Sequence, residues 1–111
     1  MGKSKKAPAP AGATGERRKL EAKEVSSRLG ELAGWSLRRG GGAIERTYTL
    51  PSFRASLAFV AYVGELAEAE NHHPDVDIRY NRVTLALSTH DAGGITGKDF
   101  ELARLIDAAG S

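Results

Sequence analysis

The segment from residue 75 to residue 87 constrains the fold most strongly, because its apolar side chains alternate with polar ones in two successive runs. The first run contains Val76, Ile78 and Tyr80, and the second contains Val83, Leu85 and Leu87. Alternation with a period of two places each set on one face of a β-strand. Asn81-Arg82 separates the runs, and Asn tolerates positive φ, although Arg82 is not the Gly that a tight turn prefers. The segment therefore predicts an antiparallel hairpin with a two-residue turn at Asn81-Arg82.

The predicted turn determines which residues lie opposite each other. Ile78 then pairs with Leu85, and the same register, extended along both strands, places His73 opposite His90. Cross-strand partners have Cβ atoms about 5 Å apart. Together with His72, these residues are the three histidines of the chain. The hairpin therefore predicts that all the histidines converge at one end of the sheet.

Patterns typical of three helices and two further strands surround the hairpin. In chain order we predict a helix over 18–33, strands over 35–39 and 43–50, a helix from Ser52 to about Asn71, the hairpin, and a last helix from Thr96. Pro74 cannot continue the long helix, and Thr96 and Asp99 have the spacing of a capping box. The order α-β-β-α-β-β-α predicts an α+β fold, with a four-stranded antiparallel sheet covered on one face by helices.

The long predicted helix has a wide apolar arc. One stripe contains Phe53, Leu57, Val60 and Ala67, and Phe59, Val63 and Leu66 widen it. So wide an arc indicates a helix that lies across a sheet.

The chain has room for one domain, and its basic character comes from one end. Five of the 16 basic residues and one of the 14 acidic residues lie in the first 18 positions, which leaves 11 basic and 13 acidic residues in the remainder. Residues 1–17 are rich in Ala, Pro, Gly and Lys, so we predict a disordered basic tail followed by one domain over 18–111. A slightly acidic body argues against direct binding of nucleic acid.

Several classes of chemistry are excluded by missing residues and motifs. The chain has no cysteine, which excludes disulfides, thiolate nucleophiles and cysteine-ligated metals. It also lacks a nucleophile elbow and a glycine-rich phosphate loop. No apolar run approaches the roughly 18 residues that a membrane span needs, and no signal peptide is evident. We therefore expect a cytoplasmic protein without a membrane partner.

The histidines are the strongest candidates for chemistry. Glu68 precedes His72 by four residues, so its carboxylate could hold that imidazole in one tautomer if the helix extends that far. Imidazoles titrate near neutral pH, as general acid–base catalysis requires. A zinc site is the rival interpretation, but His72 and His73 are adjacent and point in divergent directions, and no HExxH spacing exists. Purely structural histidines, and a Glu68 that is only a solvated helix residue, are the remaining alternatives.

The spacing of these residues resembles a known family. Glu68-x3-His72-His73-Pro74, followed at fixed intervals by Tyr80, His90 and Asp99, is similar to the signature of the pterin-4a-carbinolamine dehydratases. The segments 88–96 and 34–35 are also similar to that family, and the resemblance covers about residues 20–107.

The resemblance implies a function that spacing alone does not. Members of the family dehydrate 4a-hydroxytetrahydropterin, the product of aromatic amino-acid hydroxylases, to quinonoid dihydropterin during tetrahydrobiopterin recycling. The implied reaction uses no metal and no organic cofactor. A homodimer or homotetramer, formed by sheet-edge pairing and helix packing, is also implied. Relatives also act as dimerisation partners of a transcription factor, so a non-catalytic binding module is the alternative function.

The resemblance also implies roles for individual residues. His72 and His90 would transfer protons on opposite sides of the pterin, His73 would bind and orient it, and Glu68 would support the acid–base pair. The implied substrate-binding set, backbone included, is His72, His73, Pro74, Thr89, His90, Asp91 and Ala92. Asp99 and Trp35 are candidate supporting residues, although Asp99 fits a helix cap and Trp35 fits a core position.

Overall fold

The computed structural model describes residues 18–110, with side chains through residue 108, so the predicted basic tail at residues 1–17 lies outside the described part. The elements are helix α1 (Ala22–Leu29), strands β1 (Ser36–Leu37) and β2 (Ile44–Thr49), helix α2 (Phe53–Glu70), strands β3 (Asp75–Arg79) and β4 (Arg82–Leu87), a 3-10 turn (His90–Ala92) and helix α3 (Gly97–Gly110). The strands form one antiparallel sheet in the order β1-β2-β4-β3. The predicted α+β architecture is confirmed.

The core lies between one face of the sheet and the helices. Its fully buried side chains include Ile44, Val83, Leu85 and Leu87 from the strands, and Val63, Phe100, Ala103 and Ile106 from α2 and α3. The opposite face of the sheet presents polar side chains such as Thr47 and Asp77. This two-sidedness is what the alternating pattern predicts for a sheet with one solvated face.

Helix α1 is shorter than its predicted span of 18–33. It begins at Ala22 because Glu21 and Glu24 form a capping box, while the backbone N–H of Leu20 bonds to the carbonyl of Ile95 at 2.8 Å and continues the chain in extended form. The helix ends at Leu29. The apolar residues Leu32 and Trp35, which follow the helix, lie outside regular helix but are buried in the core.

Helix α2 has the predicted ends, and most of its predicted apolar arc, including Val60, Val63 and Ala67, is buried or packs against the core. Ser52 caps its start by accepting the N–H of Ala55 at 3.0 Å. Phe53 and Leu57 belong to the predicted stripe, but their side chains are 47% and 46% exposed. The helix instead turns the face that contains Ser56 towards the core. Successive helical residues are rotated by about 100°, so this choice of face leaves Leu57 outside.

The hairpin register also differs from the prediction. The turn residues are Tyr80 and Asn81, and Ile78 pairs with Val83 rather than with Leu85. Tyr80 takes the left-handed conformation, with φ of 56°. Because the shift is two residues, every side chain within β3 and β4 keeps its predicted face, whereas Tyr80 leaves the strand for the turn. The predicted pairing of His73 with His90 is wrong, since this register places Ser88 opposite His73.

The C-terminal half of α3 is attached to the first two strands through Asp107. The Asp107 carboxylate accepts the indole N–H of Trp35 at 2.8 Å and the hydroxyl of Tyr48 at 2.6 Å, and it pairs with Arg46 at 3.2 Å. Burial, followed by the hydrogen bond to Asp107, raises the pKa of the Tyr48 hydroxyl. Trp35 is 5% exposed, which confirms the interpretation of this residue as part of the core.

Candidate active site

The three histidines are placed by two neighbouring chain segments. Strands β3 and β4 are adjacent and antiparallel, so the start of β3 and the end of β4 lie at the same end of the sheet. His72 and His73 lie in the connection from α2 to β3, at that end of the sheet, and His90 lies in the loop from β4 to α3, at the same end. The helices and strands therefore bring together residues that are 18 positions apart in the sequence.

Asn71 separates the environments of the two adjacent histidines. It follows the last residue of α2 and has a left-handed backbone with φ of 52°. The N–H of His72 then bonds to the carbonyl of Ala67 at 3.0 Å, which closes the helix end. The reversal directs His72 inward, where it is 8% exposed, and leaves the side chain of His73 55% exposed.

Asp99 is a buried anchor for His72. Its carboxylate is fully buried, and one oxygen, Oδ1, lies 2.5 Å from Nε2 of His72. The other oxygen, Oδ2, accepts the backbone N–H of Thr96 and the hydroxyl of Thr89, each at 2.9 Å. Half of the predicted capping box is present, because Asp99 accepts the N–H of Thr96, whereas the Thr96 hydroxyl accepts the N–H of Lys98 rather than that of Asp99. Asp99 also contacts His72, so its role is not limited to the cap. A single carboxylate both starts α3 and holds an imidazole.

This arrangement selects one tautomer of His72. Two donors at Oδ2 suit a carboxylate, which only accepts hydrogen bonds, so Nε2 of His72 is the donor to Oδ1. In the neutral imidazole the remaining nitrogen, Nδ1, then carries the lone pair. The neutral imidazole of His72 can therefore accept a further proton only at Nδ1.

Glu68 supports a different histidine from the predicted one. Its Oε2 lies 2.6 Å from Nε2 of His73, and it makes no hydrogen bond to His72 in the described part of the chain. The predicted four-residue pairing fails because α2 ends at Glu70, before it reaches His72. The Glu68 side chain is 76% exposed, so the pair is largely screened by solvent.

His90 opens the 3-10 turn and is exposed. Its side chain has no hydrogen-bond or ion-pair partner among residues 18–108. The loop is nonetheless closely held, because the carbonyl of Thr89 accepts the N–H groups of Ala92 and Gly93 at 3.0 Å. His90 is therefore a solvent-accessible imidazole on a rigid turn.

A shallow cleft of about 250 Å³ connects these side chains. Its lining residues are Asn71, His72, His73, Ser88, Thr89, His90, Asp91 and Lys98. The histidines thus share one cavity, although not in the predicted strand register. Asn71, Ser88 and Lys98 were missed by sequence reasoning. Only their positions next to His72, Thr89 and Asp99 in the sequence could have indicated them.

Five of the predicted site residues do not line the cleft. Glu68 and Pro74 line a neighbouring apolar groove, between α2 and the start of β3. Asp99 is buried and contacts His72, and Ala92 and Trp35 also lie outside the cleft lining. Within residues 18–108, no three His, Cys, Asp or Glu side chains are grouped so that they could hold a metal ion. None of the helices in the described part is long and apolar enough to cross a membrane.

The fold and the cleft define a class of small α+β proteins in which three histidines line one cleft and a buried aspartate contacts one of them. Residues 18–109 match the family model described as Pterin 4 alpha carbinolamine dehydratase. This chain belongs to the pterin-4-alpha-carbinolamine dehydratase family.

Individual relatives and a solved structure agree with that assignment. A Roseiflexus castenholzii protein named "Putative pterin-4-alpha-carbinolamine dehydratase" is 60% identical over 84 residues, covering 76% of this chain and 88% of the relative. A relative with the same name from Sulfurisphaera tokodaii is 47% identical, covering 81% of this chain and 95% of the relative. The crystal structure of a "transcriptional coactivator/pterin dehydratase" from Brucella melitensis superposes with a TM-score of 0.78 at 34% identity, covering 82% of this chain and 97% of that one.

Proposed function

We propose that this protein dehydrates 4a-hydroxytetrahydropterin to quinonoid dihydropterin and water. One observation supports the proposal above all others: His72, whose Nε2 is held by the buried Asp99 carboxylate, lines the same cleft as His73 and His90. Membership of the family supplies the substrate class. The geometry supplies the acid–base groups that such a reaction needs.

The reaction breaks the bond between C4a and its hydroxyl oxygen and removes the proton on N5. In the proposed mechanism Nδ1 of His72 accepts the N5 proton, and Asp99 stabilises the imidazolium. His90, in its protonated form, donates a proton to the departing hydroxyl, which leaves as water. His90 is exposed, so it takes up a proton from solvent between turnovers. His72 releases the proton that it accepted to solvent through the same cleft, so both histidines return to their starting forms. Each such proton transfer contributes about 10²–10⁴-fold to a rate.

His73 and Glu68 have a binding role in this proposal. Their hydrogen bond fixes the direction of the His73 imidazole, which lines the cleft beside His72. Asp91 and Lys98 line the cleft too, with a carboxylate acceptor and an ammonium donor that can meet the polar edge of a pterin ring. These four side chains orient the substrate while His72 and His90 act on it.

The test is a stopped-flow measurement with synthetic 4a-hydroxytetrahydropterin, which decays slowly without an enzyme. The wild-type protein should accelerate the decay, and His72→Ala or His90→Ala should remove most of the acceleration. His73→Ala is the matched control within the cleft, and it should raise KM more than it lowers kcat. If the variant lacking both His72 and His90 is as fast as the wild type, the acid–base assignment is wrong.

We further propose a place in tetrahydrobiopterin recycling, in the cytoplasm. The substrate is the product of an aromatic amino-acid hydroxylase, and the product is ready for reduction. Adding the protein to a hydroxylase assay that contains a dihydropterin reductase should shorten the lifetime of the carbinolamine intermediate. The His72→Ala variant should have no such effect.

A homodimer or homotetramer is the proposed assembly, supported by an exposed apolar surface. Helix α2 exposes Phe53, Leu57 and Tyr62, and β3 is an edge strand that exposes Val76. Between them lies a groove of about 470 Å³ lined mostly by small and apolar residues. Exposed apolar patches of this kind are typical of interaction sites, and unpaired edge strands can pair with another chain.

The same surface supports the second candidate function, a binding module for another protein. The relevant observation is the similarity to the Brucella melitensis protein, which is named "transcriptional coactivator/pterin dehydratase". Light scattering on the wild type and on Leu57→Glu distinguishes self-assembly through this surface from binding of a different protein. A self-assembled wild type that becomes monomeric on substitution favours the homo-oligomer, whereas a monomeric wild type leaves the surface available for a different partner.

A further inference from the structure

Two threonine hydroxyls form a chain of hydrogen bonds beneath the candidate active site. Thr89 and Thr96 are both buried, and their hydroxyl oxygens lie 2.8 Å apart. Thr89 Oγ1 lies 2.9 Å from Oδ2 of Asp99, and Thr96 Oγ1 lies 3.1 Å from the backbone nitrogen of Lys98. No buried side-chain nitrogen or oxygen in the described part of the chain lacks a partner.

The direction of every hydrogen bond in this chain can be assigned. A carboxylate oxygen only accepts, so the single hydroxyl proton of Thr89 points to Asp99. Thr89 Oγ1 must therefore accept from Thr96, whose own oxygen accepts the backbone N–H of Lys98. Each hydroxyl donates once and accepts once. The order runs from the first turn of α3 through the two hydroxyls to Oδ2 of Asp99.

This order of hydrogen bonds matters because it ends at Oδ2, the oxygen of Asp99 that does not contact His72. With two donors at Oδ2, the carboxylate cannot rotate to present that oxygen to His72 without losing both bonds. Oδ1 is thereby reserved for Nε2 of His72. Networks of this kind fix the tautomer and orientation of an imidazole from outside the reacting groups.

We propose that Thr89 and Thr96 are positioning residues, which keep Asp99 oriented and thereby hold His72 in the tautomer protonated at Nε2. The resemblance implies that the backbone at Thr89 contacts substrate, and the Thr89 hydroxyl is bonded to Asp99. The effect on turnover presupposes the dehydratase activity proposed above, whereas the tautomer of His72 does not.

The experiment compares Thr89→Val, Thr89→Ser and Thr84→Val with the wild type. Valine keeps the shape of threonine and removes the hydroxyl, while serine keeps the hydroxyl. Thr84 is the matched control, because its hydroxyl pairs with that of Thr47 at the same 2.8 Å separation on the other face of the sheet. The measurements are the ¹⁵N chemical shifts of the His72 ring, without substrate, and kcat and KM with synthetic 4a-hydroxytetrahydropterin.

We expect the wild-type ring to be protonated at Nε2 in its neutral form, and Thr89→Val to give a mixture of tautomers. Its kcat should fall by about 10-fold to 100-fold, the effect of losing a hydrogen bond to a charged group, with a smaller change in KM. Thr89→Ser and Thr84→Val should match the wild type within about threefold in the same assay.

Three results would overturn the positioning role. The first is a wild-type His72 protonated at Nδ1, which needs no variant and so decides the matter even if Thr89→Val does not fold. The second is a Thr89→Val protein with the kcat and tautomer of the wild type. The third is a Thr89→Ser protein as impaired as Thr89→Val, which would assign the effect to packing. A wild type that shows the expected tautomer but no activity contradicts only the proposed function.

Discussion

Replacing Asp99 by Asn tests the connection between the buried carboxylate and His72 most directly. Asp99 now receives three donors: Nε2–H of His72 at Oδ1, and the Thr89 hydroxyl and Thr96 N–H at Oδ2. Asn has the same shape but only one acceptor oxygen. The variant keeps most hydrogen bonds if that oxygen faces Thr89 and Thr96. Its amide NH₂ group then faces His72, whose Nε2 must become an acceptor.

The expected magnitudes follow from this exchange. The proton of the neutral imidazole moves to Nδ1, the atom that the proposed mechanism uses as the base, so the contribution of that base is lost. We expect kcat to fall by about 10²–10⁴-fold. The free energy of unfolding should fall by about 1–3 kcal/mol, because a charged acceptor is replaced by a neutral one in a fully buried position.

Stopped-flow decay of the carbinolamine gives kcat and KM, and urea titration gives the free energy of unfolding. Asp75→Asn is the matched control, since Asp75 is exposed at the start of β3 and should keep wild-type activity and stability. A folded Asp99→Asn protein whose kcat lies within threefold of the wild type would falsify the role of Asp99 in orienting His72.

Three further predictions follow from the geometry. Glu68→Gln should raise KM several-fold with little change in kcat, because Glu68 contacts His73 rather than His72, and Glu65→Gln serves as its control in the same kinetic assay. Asn71→Gly should keep full stability, whereas Asn71→Val should lose about 1–2 kcal/mol in urea titration, since only the former tolerates the left-handed backbone; equal losses would argue against the role of that conformation. Burial, followed by the hydrogen bond to Asp107, raises the pKa of Tyr48 in the folded state. The neutral hydroxyl therefore contributes to the stability of the fold fully at pH values below the ordinary tyrosine pKa of 10.0. The free energy of unfolding should therefore fall as pH rises above the ordinary value of 10.0, and Tyr48→Phe should show a smaller fall in titrations at pH 9 to 11.

The sequence predicts the faces of the strands much better than their pairing. Alternation assigned Val83 and Leu85 to the buried face correctly, because a face depends only on whether a position is odd or even. The register depends on which residue takes the positive φ of the turn, and Tyr80 does so rather than Asn81. Asn is the usual choice at such positions. The register therefore could not be obtained from local preference alone.

The convergence of the three histidines was predictable, but their hydrogen-bond partners were not. Spacing indicated that the histidines converge, and all three line one cleft. The pairing of Glu68 with His72 required the helix to include His72, but α2 ends two residues earlier, at Glu70. The contact between His72 and Asp99 joins residues 27 positions apart, and it depends on how α3 packs against the sheet. No local pattern distinguishes an aspartate that caps a helix from one that also binds an imidazole.

The left-handed residue at the end of α2 has a consequence for comparing sequences. His72 and His73 are chemically identical neighbours, and only their distance from Asn71 decides which one is buried against Asp99. Inserting one residue between Asn71 and His72 would move His72 to the exposed position, and deleting one residue there would move His73 to the buried position, while the His-His pair stays intact in both cases. An alignment that matches the two letters therefore does not establish equivalence, and the residue to align first is the one that reverses the backbone.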